Sequence, residues 1–326
     1  MNYKYRQTKI IADDLRRIDI AKGIIEALPI LPQIEEQIRR KSLLKSSLFS
    51  ARIEGNILNM EDITSRIRSD GRRQEKLEVF NILSALQWIR SPSSAKQITR
   101  KVILTIHRMV MKNLSADAGQ FRREPSAIFN QAGVAVYMPP PSGDIDKLVA
   151  EFVKIASRKS SYVCINAANA HFMFEKIHPF LDGNGRVGRL VSTFILDKNG
   201  YGFRGLVSFE ELMEKNRQEY YDLLLLKGPD ITSFIEFFLR ILAEQAETVI
   251  TSIPRESSQS DEDTLLPRRR EILLIIRDHG EVSFDFIRRR FMRVTASTLH
   301  YDLKQLTRAK LIRKLGSTRG VVYTAF

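Results

Sequence analysis

The amino-acid sequence predicts a mainly helical protein with a second, smaller domain at its C-terminus. Three observations point that way. Apolar residues recur at three- and four-residue spacing through most of the chain, as on one face of a helix. Alternating runs are confined to two short segments. A polar stretch rich in serine and acid, "SIPRESSQSDEDT" from Ser252 to Thr264, has no apolar period and marks a boundary.

The elements follow in chain order. "SARIEGN" places Ser50 and Glu54 four apart, on one face of a short helix ended by Gly55. "DITSRIRSDGRRQEKLEVFNILSALQWI" and "KQITRKVILTIHRMVMKNL" read as amphipathic helices. "REPSAIFNQAGVAVYMPPP" breaks the pattern: short alternating runs flank Asn130–Gly133, which predicts a hairpin closed by prolines. "GDIDKLVAEFVKIA" returns to helix. "NAANAHFMFEKI" predicts a buried helix stopped by Pro179, and "RVGRLVSTFILD" opens the next one. "ITSFIEFFLRILAEQAETVI" is the last helix before the boundary. Beyond it, "RRREILLIIRDHG", "SFDFIRRRF" and "TASTLHYDLKQLTRAKLI" predict three helices, and "IRKLGSTRGVVYTAF" two short strands around a glycine-bounded turn. The domains expected are residues 1–95, 96–250 and 265–326, with a linker at 251–264.

The composition, 43% hydrophobic and 28% charged, is that of a folded chain. Apolar runs such as "EILLII" fall far short of the ~18 residues that span a bilayer, so no membrane partner is expected. The N-terminus mixes charges of both signs and lacks a secretory apolar region. The single cysteine, Cys164, excludes an internal disulfide and fits a reducing compartment, so a cytoplasmic location is expected. The net charge is +14, and it is uneven: residues 265–326 carry 14 basic and 5 acidic side chains, a net of +9. That concentration points to a polyanion as partner of the last fifth of the chain.

"HPFLDGNGRVGR", His178 to Arg189, crowds glycines, a histidine, an aspartate and two arginines into twelve residues. A glycine-rich turn leading into a helix N-terminus presents unpaired backbone N–H groups to an anion, and glycine lets it come close. Arg186 and Arg189, three apart, lie on nearby faces of the first helical turns and suit phosphate oxygens. Asp182 is a hard oxygen ligand for magnesium carried by a nucleotide. His178 suits proton removal. The Gly-Lys-Ser/Thr ending of a Walker A loop is missing.

This segment resembles the Fic motif, His-x-Phe-x-Asp/Glu-Gly-Asn-Gly-Arg-x-x-Arg, and matches every fixed position. The resemblance runs from about Gly119 to Leu239 and takes in "GQFR", "YMPPP" and "NRQEYYDLL". It implies a Fic-type helical core with a β-hairpin flap, and transfer of AMP from ATP, with Mg²⁺, to a hydroxyl on a target protein. By position, His178 would be the general base and Asp182 the metal ligand. Gly183, Asn184 and Gly185 would line the anion hole, with Arg186 and Arg189 on the phosphate chain. Tyr221 and Leu224 would flank the adenine, and the hairpin around Ile128 and Phe129 would clamp the target segment. "SARIEGN" is similar to the family's inhibitory motif, which implies that Glu54, beside Ser50, reaches Arg189 in place of the ATP γ-phosphate.

The C-terminal order resembles a winged helix-turn-helix domain. Leu299, Leu303 and Leu306 form the apolar side of its third helix, and Thr298, Tyr301, Lys304 and Gln305 face outward toward DNA, with Arg319 in the wing. The other reading of this domain is protein interaction or dimerisation. "RRR" at Arg268 and at Arg288 reads as solvated helix faces. The partners expected are a target protein, DNA and a second copy of the chain. Two other functions fit the same residues: a nucleotide-sensing transcriptional regulator, and removal of AMP with Glu54 positioning water.

Overall fold

The computed structural model describes residues 3–64, 73–129, 133–158, 160–257, 265–292, 294–316 and 321–325. It divides into two compact units, Met1–Ile253 and Pro254–Phe326.

The first unit opens with α1 (Lys9–Ala27), α2 (Pro32–Ile53), α3 (Met60–Thr64), α4 (Arg73–Arg90) and α5 (Arg100–Val110). Thr8 and Thr99 cap α1 and α5, their side chains accepting from Ile11 N and Val102 N. Pro32 starts α2, where its missing N–H costs nothing. The strands β1 (Ile128–Phe129) and β2 (Ala135–Tyr137) pair antiparallel. Then come α6 (Ile145–Ala156), α7 (Val163–Ile177), α8 (Asn184–Lys198), α9 (Glu210–Lys215), α10 (Arg217–Leu224) and α11 (Thr232–Ser257).

One hydrophobic core runs from Ile11 to Ile253, so residues 1–95 do not pack as a unit of their own. At its centre α7 and α8 lie against each other, with Phe172, Phe174, Leu190 and Phe194 at most 1% exposed. Burying each such side chain contributes about 1.5–3 kcal/mol. This fixes the loop between them, which carries the glycine-rich segment.

Two expectations need correction. The helix ending at Gly55 is not short: α2 is 22 residues long. Its inner face carries Ser42, Ser46, Ser47 and Ser50, all buried, so apolar spacing missed most of it. Of the helix expected from Asp62 to Ile89, the described parts are helical, in α3 and α4, and residues 65–72 lie outside the described ones. Helix α11 continues to Ser257, into the expected linker.

The second unit contains α12 (Pro267–His279), β3 (Glu281–Ser283), α13 (Phe284–Arg290), α14 (Ala296–Arg308), β4 (Ile312–Leu315) and β5 (Val322–Ala325). The sheet is antiparallel in the order β3-β5-β4, with Val282 opposite Tyr323 and Tyr323 opposite Lys314. Ile272, Ile276, Ile287, Leu299, Leu303 and Ile312 form its core. Strand β3 was not expected from the sequence; three residues are too few to show alternation.

Candidate functional site

Helix α7 ends at His178, which takes a left-handed conformation (φ +49°), and the chain re-enters a helix through Gly183 (φ +81°). A side chain at Gly183 would meet both that unfavourable φ and Met111 Sδ. Asn184 braces the loop from within. Its Oδ1 accepts from Phe180 N and its Nδ2 donates to Phe180 O, both at 2.9 Å. The Asn184 side chain is therefore turned to the loop, and what it offers an anion is its backbone N–H in the first turn of α8.

His107 on α5 supports the loop from below. Gly119 N donates to its Nδ1 at 2.8 Å, which fixes the proton on Nε2, and Nε2 donates to Asp182 O at 3.1 Å. The ring stacks on Phe180, centroids 3.6 Å apart. Burial lowers its pKa to about 4. Burial likewise lowers the pKa of His178 to about 4, so this imidazole is neutral at pH 7. Its Nδ1 is buried without a hydrogen-bond partner among the described residues.

Arg122, in "GQFR", ties the hairpin to this loop. It is 3% exposed. Its Nε donates to His178 O at 2.8 Å, Nη1 to Glu124 O at 3.0 Å and Nη2 to Pro140 O at 2.5 Å, while its own N–H reaches Pro179 O. Both ends of the hairpin and the histidine backbone thus share one guanidinium. No local pattern marks Arg122 in the sequence, because its partners at His178, Pro179 and Pro140 are brought to it only by the fold.

The two signature arginines part company. Arg189 is fully buried. Its Nε donates to Ser50 Oγ at 2.9 Å, and its Nη2 to Ser50 O at 2.9 Å and Glu54 Oε1 at 2.8 Å. Burial works against its charge, but Glu54 holds its pKa above the ordinary value. Its Nη1 has no hydrogen-bond partner among the described residues. Glu54 lies against the first turn of α8, where a Cβ at Gly185 would collide with its Oε1. The positive end of the helix favours a carboxylate there. The Tyr221 hydroxyl donates to Ile53 O at 2.7 Å and fastens α10 to the end of α2. Leu224, also on α10, is half-buried in the core.

Arg186 turns the other way. Its Nη1 donates to Glu78 Oε1 on α4 and its Nη2 to Asp182 Oδ1, both at 2.7 Å. The Asp182 side chain is 66% exposed, and its Oδ1 also accepts from Gly183 N. One exposed carboxylate beside a phosphate cradle fits Mg²⁺ that arrives on a nucleotide and keeps most of its waters.

Near Arg189, Glu175 is buried, and its Oε1 has no partner among the described residues. Burial, reinforced by the negative charge of Glu54, raises its pKa to about 8. The structure thus joins Ser50, Glu54, Gly185, Arg189 and Tyr221 in one cluster, and Asp182, Gly183 and Arg186 in an adjoining one. The backbone of Ile128 pairs with Tyr137 in the hairpin; the Phe129 side chain and the turn at Asn130 lie outside the described residues.

In the second unit, Tyr301 and Lys304 are exposed on α14, and Thr298 and Gln305 are half-exposed. Arg319 lies outside the described residues. Arg288–Arg290 are exposed, as expected. Arg268 and Arg269 are not a solvated face: both hold the buried Asp302, at 2.6 and 2.8 Å.

Residues 97–196 match the model of the Fic/DOC family. A protein adenylyltransferase Fic of Drosophila erecta is 30% identical over 238 residues, 69% of this chain and 46% of the relative. One from Aedes aegypti is 28% identical over 233 residues, 68% of this chain and 44% of the relative. The chain therefore spans less than half the length of these relatives. The crystal structure of a Fic family protein from Desulfovibrio desulfuricans G20 shares the fold, with a TM-score of 0.75 at 22% identity over 100% of this chain and 98% of that one.

Proposed function

We propose that this chain is an autoinhibited Fic-type protein adenylyltransferase, moving AMP from ATP to a Ser, Thr or Tyr hydroxyl of a target protein or of itself. The observation that carries the reading is the contact of Glu54 with the buried Arg189 at the first turn of α8, within the segment that matches the Fic/DOC family. A carboxylate held by a guanidinium at a helix N-terminus stands where an anionic phosphate would bind.

In this mechanism the target hydroxyl oxygen attacks the α-phosphorus, and the bond from that phosphorus to the bridging oxygen breaks. Pyrophosphate leaves. The hydroxyl proton passes to His178, whose neutral state leaves a ring nitrogen able to accept it. The N–H groups of Gly183, Asn184 and Gly185 cradle the phosphates, with Arg186 and Arg189 after Glu54 has withdrawn. Asp182 would hold Mg²⁺, which would supply charge neutralisation for the phosphates. Tyr221 and Leu224 flank the adenine. The hairpin at Ile128 and Phe129 clamps the target backbone by strand addition, a use favoured by the exposure of Ala135 and Val136 along β2.

For residues 265–326 the proposal is a winged helix-turn-helix that binds DNA through Thr298, Tyr301, Lys304, Gln305 and Arg319. The net charge of +9 and the exposed face of α14 support it.

Mass spectrometry after incubating a Glu54→Gly variant with labelled ATP and lysate tests the activity. Gain of AMP on protein is expected. His178→Ala, placed on that variant, should cost roughly 10²–10⁴-fold in rate with ATP binding retained. Loss of AMP from modified protein would instead indicate removal, and no change in either direction would leave a nucleotide-sensing regulator.

A further inference from the structure

Glu78 lies on α4, about a hundred residues before the signature segment, and each of its carboxylate oxygens faces a different part of the site. Oε1 accepts from Arg186 Nη1 at 2.7 Å, and Oε2 accepts from Asn56 Nδ2 at 2.7 Å. The side chain is only 15% exposed and that of Arg186 only 8%. Asn56 follows Glu54 by two residues, at the turn that ends α2. Its amide also donates to Glu75 O at 3.0 Å, and its Oδ1 accepts from Leu58 N at 3.1 Å. Arg186, in turn, reaches Asp182. A continuous polar chain therefore runs Asn56–Glu78–Arg186–Asp182, beside the Glu54–Arg189 contact and sharing no side chain with it.

We infer that Glu78 is a positioning residue with two duties: it orients Arg186 within the phosphate cradle, and through Asn56 it latches the turn that holds Glu54 in place. The physical grounds are charge and geometry. A guanidinium this buried needs a fixed anion, and Asp182 cannot be that anion if it turns to a metal. Glu78 can, because α4 packs against both α2 and α8 and leaves it only partly open to solvent. With Nη1 pinned on Glu78, the Nη2 arm is free to pass from Asp182 to a phosphate oxygen without the arginine leaving its site. The Nε of Arg186, buried and without a partner among the described residues, is a further donor. The same carboxylate restrains Asn56, so α2 is retained by a second contact that ATP does not compete for directly.

This inference rests on the proposed function, and its test separates the two. Full-length parent, Asn56→Ala, Glu54→Gly and Glu54→Gly/Asn56→Ala are compared for AMP transfer and, by calorimetry, for ATP binding. Loss of one such hydrogen bond changes an equilibrium by about 3- to 10-fold. Asn56→Ala should raise basal transfer and ATP affinity by that factor, less than Glu54→Gly does, and should add nothing in the double variant. Glu78→Ala on the Glu54→Gly background should raise KM for ATP about tenfold while kcat stays within about twofold, because it misplaces a phosphate ligand and not the base. A merely structural role predicts lower thermal stability of Asn56→Ala with unchanged transfer and ATP affinity, and that result overturns the latch. Unchanged KM in the Glu78 variant overturns its positioning role. If no variant transfers AMP, the functional reading fails, and ATP affinity alone decides: tighter binding by Asn56→Ala supports the latch, equal binding refutes it.

Discussion

Asp302 and Glu54 both hold arginines, and in opposite ways: in one case the acid is buried and in the other the base. Asp302 sits in the middle of α14, fully buried, with each oxygen bound to the Nε of a different arginine on α12. Burial alone would raise its pKa, but the two guanidiniums hold it below the usual carboxylate value. Glu54 sits at the C-cap of α2 with its side chain 29% exposed. Its partner Arg189 keeps Ser50 Oγ and Ser50 O as other acceptors, and its Nη1 has no partner among the described residues. In the first, the carboxylate is enclosed while its arginines keep part of their surface in water, and the contacts join α14 to α12. In the second, the arginine is enclosed and the carboxylate keeps part of its surface in water, as the proposed exchange of Glu54 for another anion requires. What would make the second pair switchable is the pair of other acceptors that Ser50 offers Arg189.

That contrast can be broken first by stability. Removing one member of a buried pair typically costs about 3–5 kcal/mol. Asp302→Ala should therefore lower the unfolding free energy of the second unit by roughly 3 kcal/mol, read by denaturant melts. Glu54→Gln should cost the first unit less than that, because the amide oxygen of glutamine can still accept from Arg189 Nη2 and Ser50 supplies two further acceptors. Equal losses would mean that the Glu54 contact is structural too.

Glu175 sharpens the comparison through pH. Its carboxyl, unlike that of Asp302, faces another acid in Glu54, and its pKa rises to about 8 from the ordinary 4.5. The sign follows from linkage. Below about pH 4.5 the folded and unfolded forms are both protonated and nothing is lost. Between there and pH 8 the unfolded chain releases a proton that the native one keeps, so stability falls as pH rises. Glu175→Gln removes this titration. The variant's melting temperature should gain on the parent's from pH 5 to pH 9, and a constant difference would contradict the assignment.

The smallest effect expected concerns the second unit. If α14 contacts DNA phosphates, binding of residues 265–326 to a duplex should weaken steeply with salt. Lys304→Ala should lower the slope of log affinity against log salt by about 1. No duplex binding at low salt would leave an interaction module in place of a DNA reader.

How much of this was legible in the sequence depends on how far apart the interacting residues are. The loop from His178 to Arg189 is a local object, and its glycine turn and helix start could be read from the local sequence; the different directions taken by Arg186 and Arg189 could not, because they depend on Glu78, Ser50 and Glu54. Ser50 and Glu54 became meaningful only through resemblance, since their contact with Arg189 spans 139 and 135 residues. Glu78 and Arg122 escaped notice for the same reason: each acts across a tertiary contact, and neither breaks the local pattern around it. Helix α2 was misjudged because buried serines, small enough for a close helix–helix approach, leave no apolar stripe. The basic run at Arg268 was misread because its partner, Asp302, is 33 to 34 residues away, on another helix.

The account stands on Glu54 withholding Arg189 from a nucleotide phosphate. The most direct measurement compares initial rates of AMP transfer by parent, Glu54→Gln and Glu54→Gly, each with and without Arg189→Ala. Glutamine keeps the size of the side chain and removes its charge, so an electrostatic clamp predicts partial release in Glu54→Gln and full release in Glu54→Gly. Arg189→Ala should cancel both gains. Equal rates in parent and Glu54→Gly, with both proteins folded and transferring AMP, would contradict it.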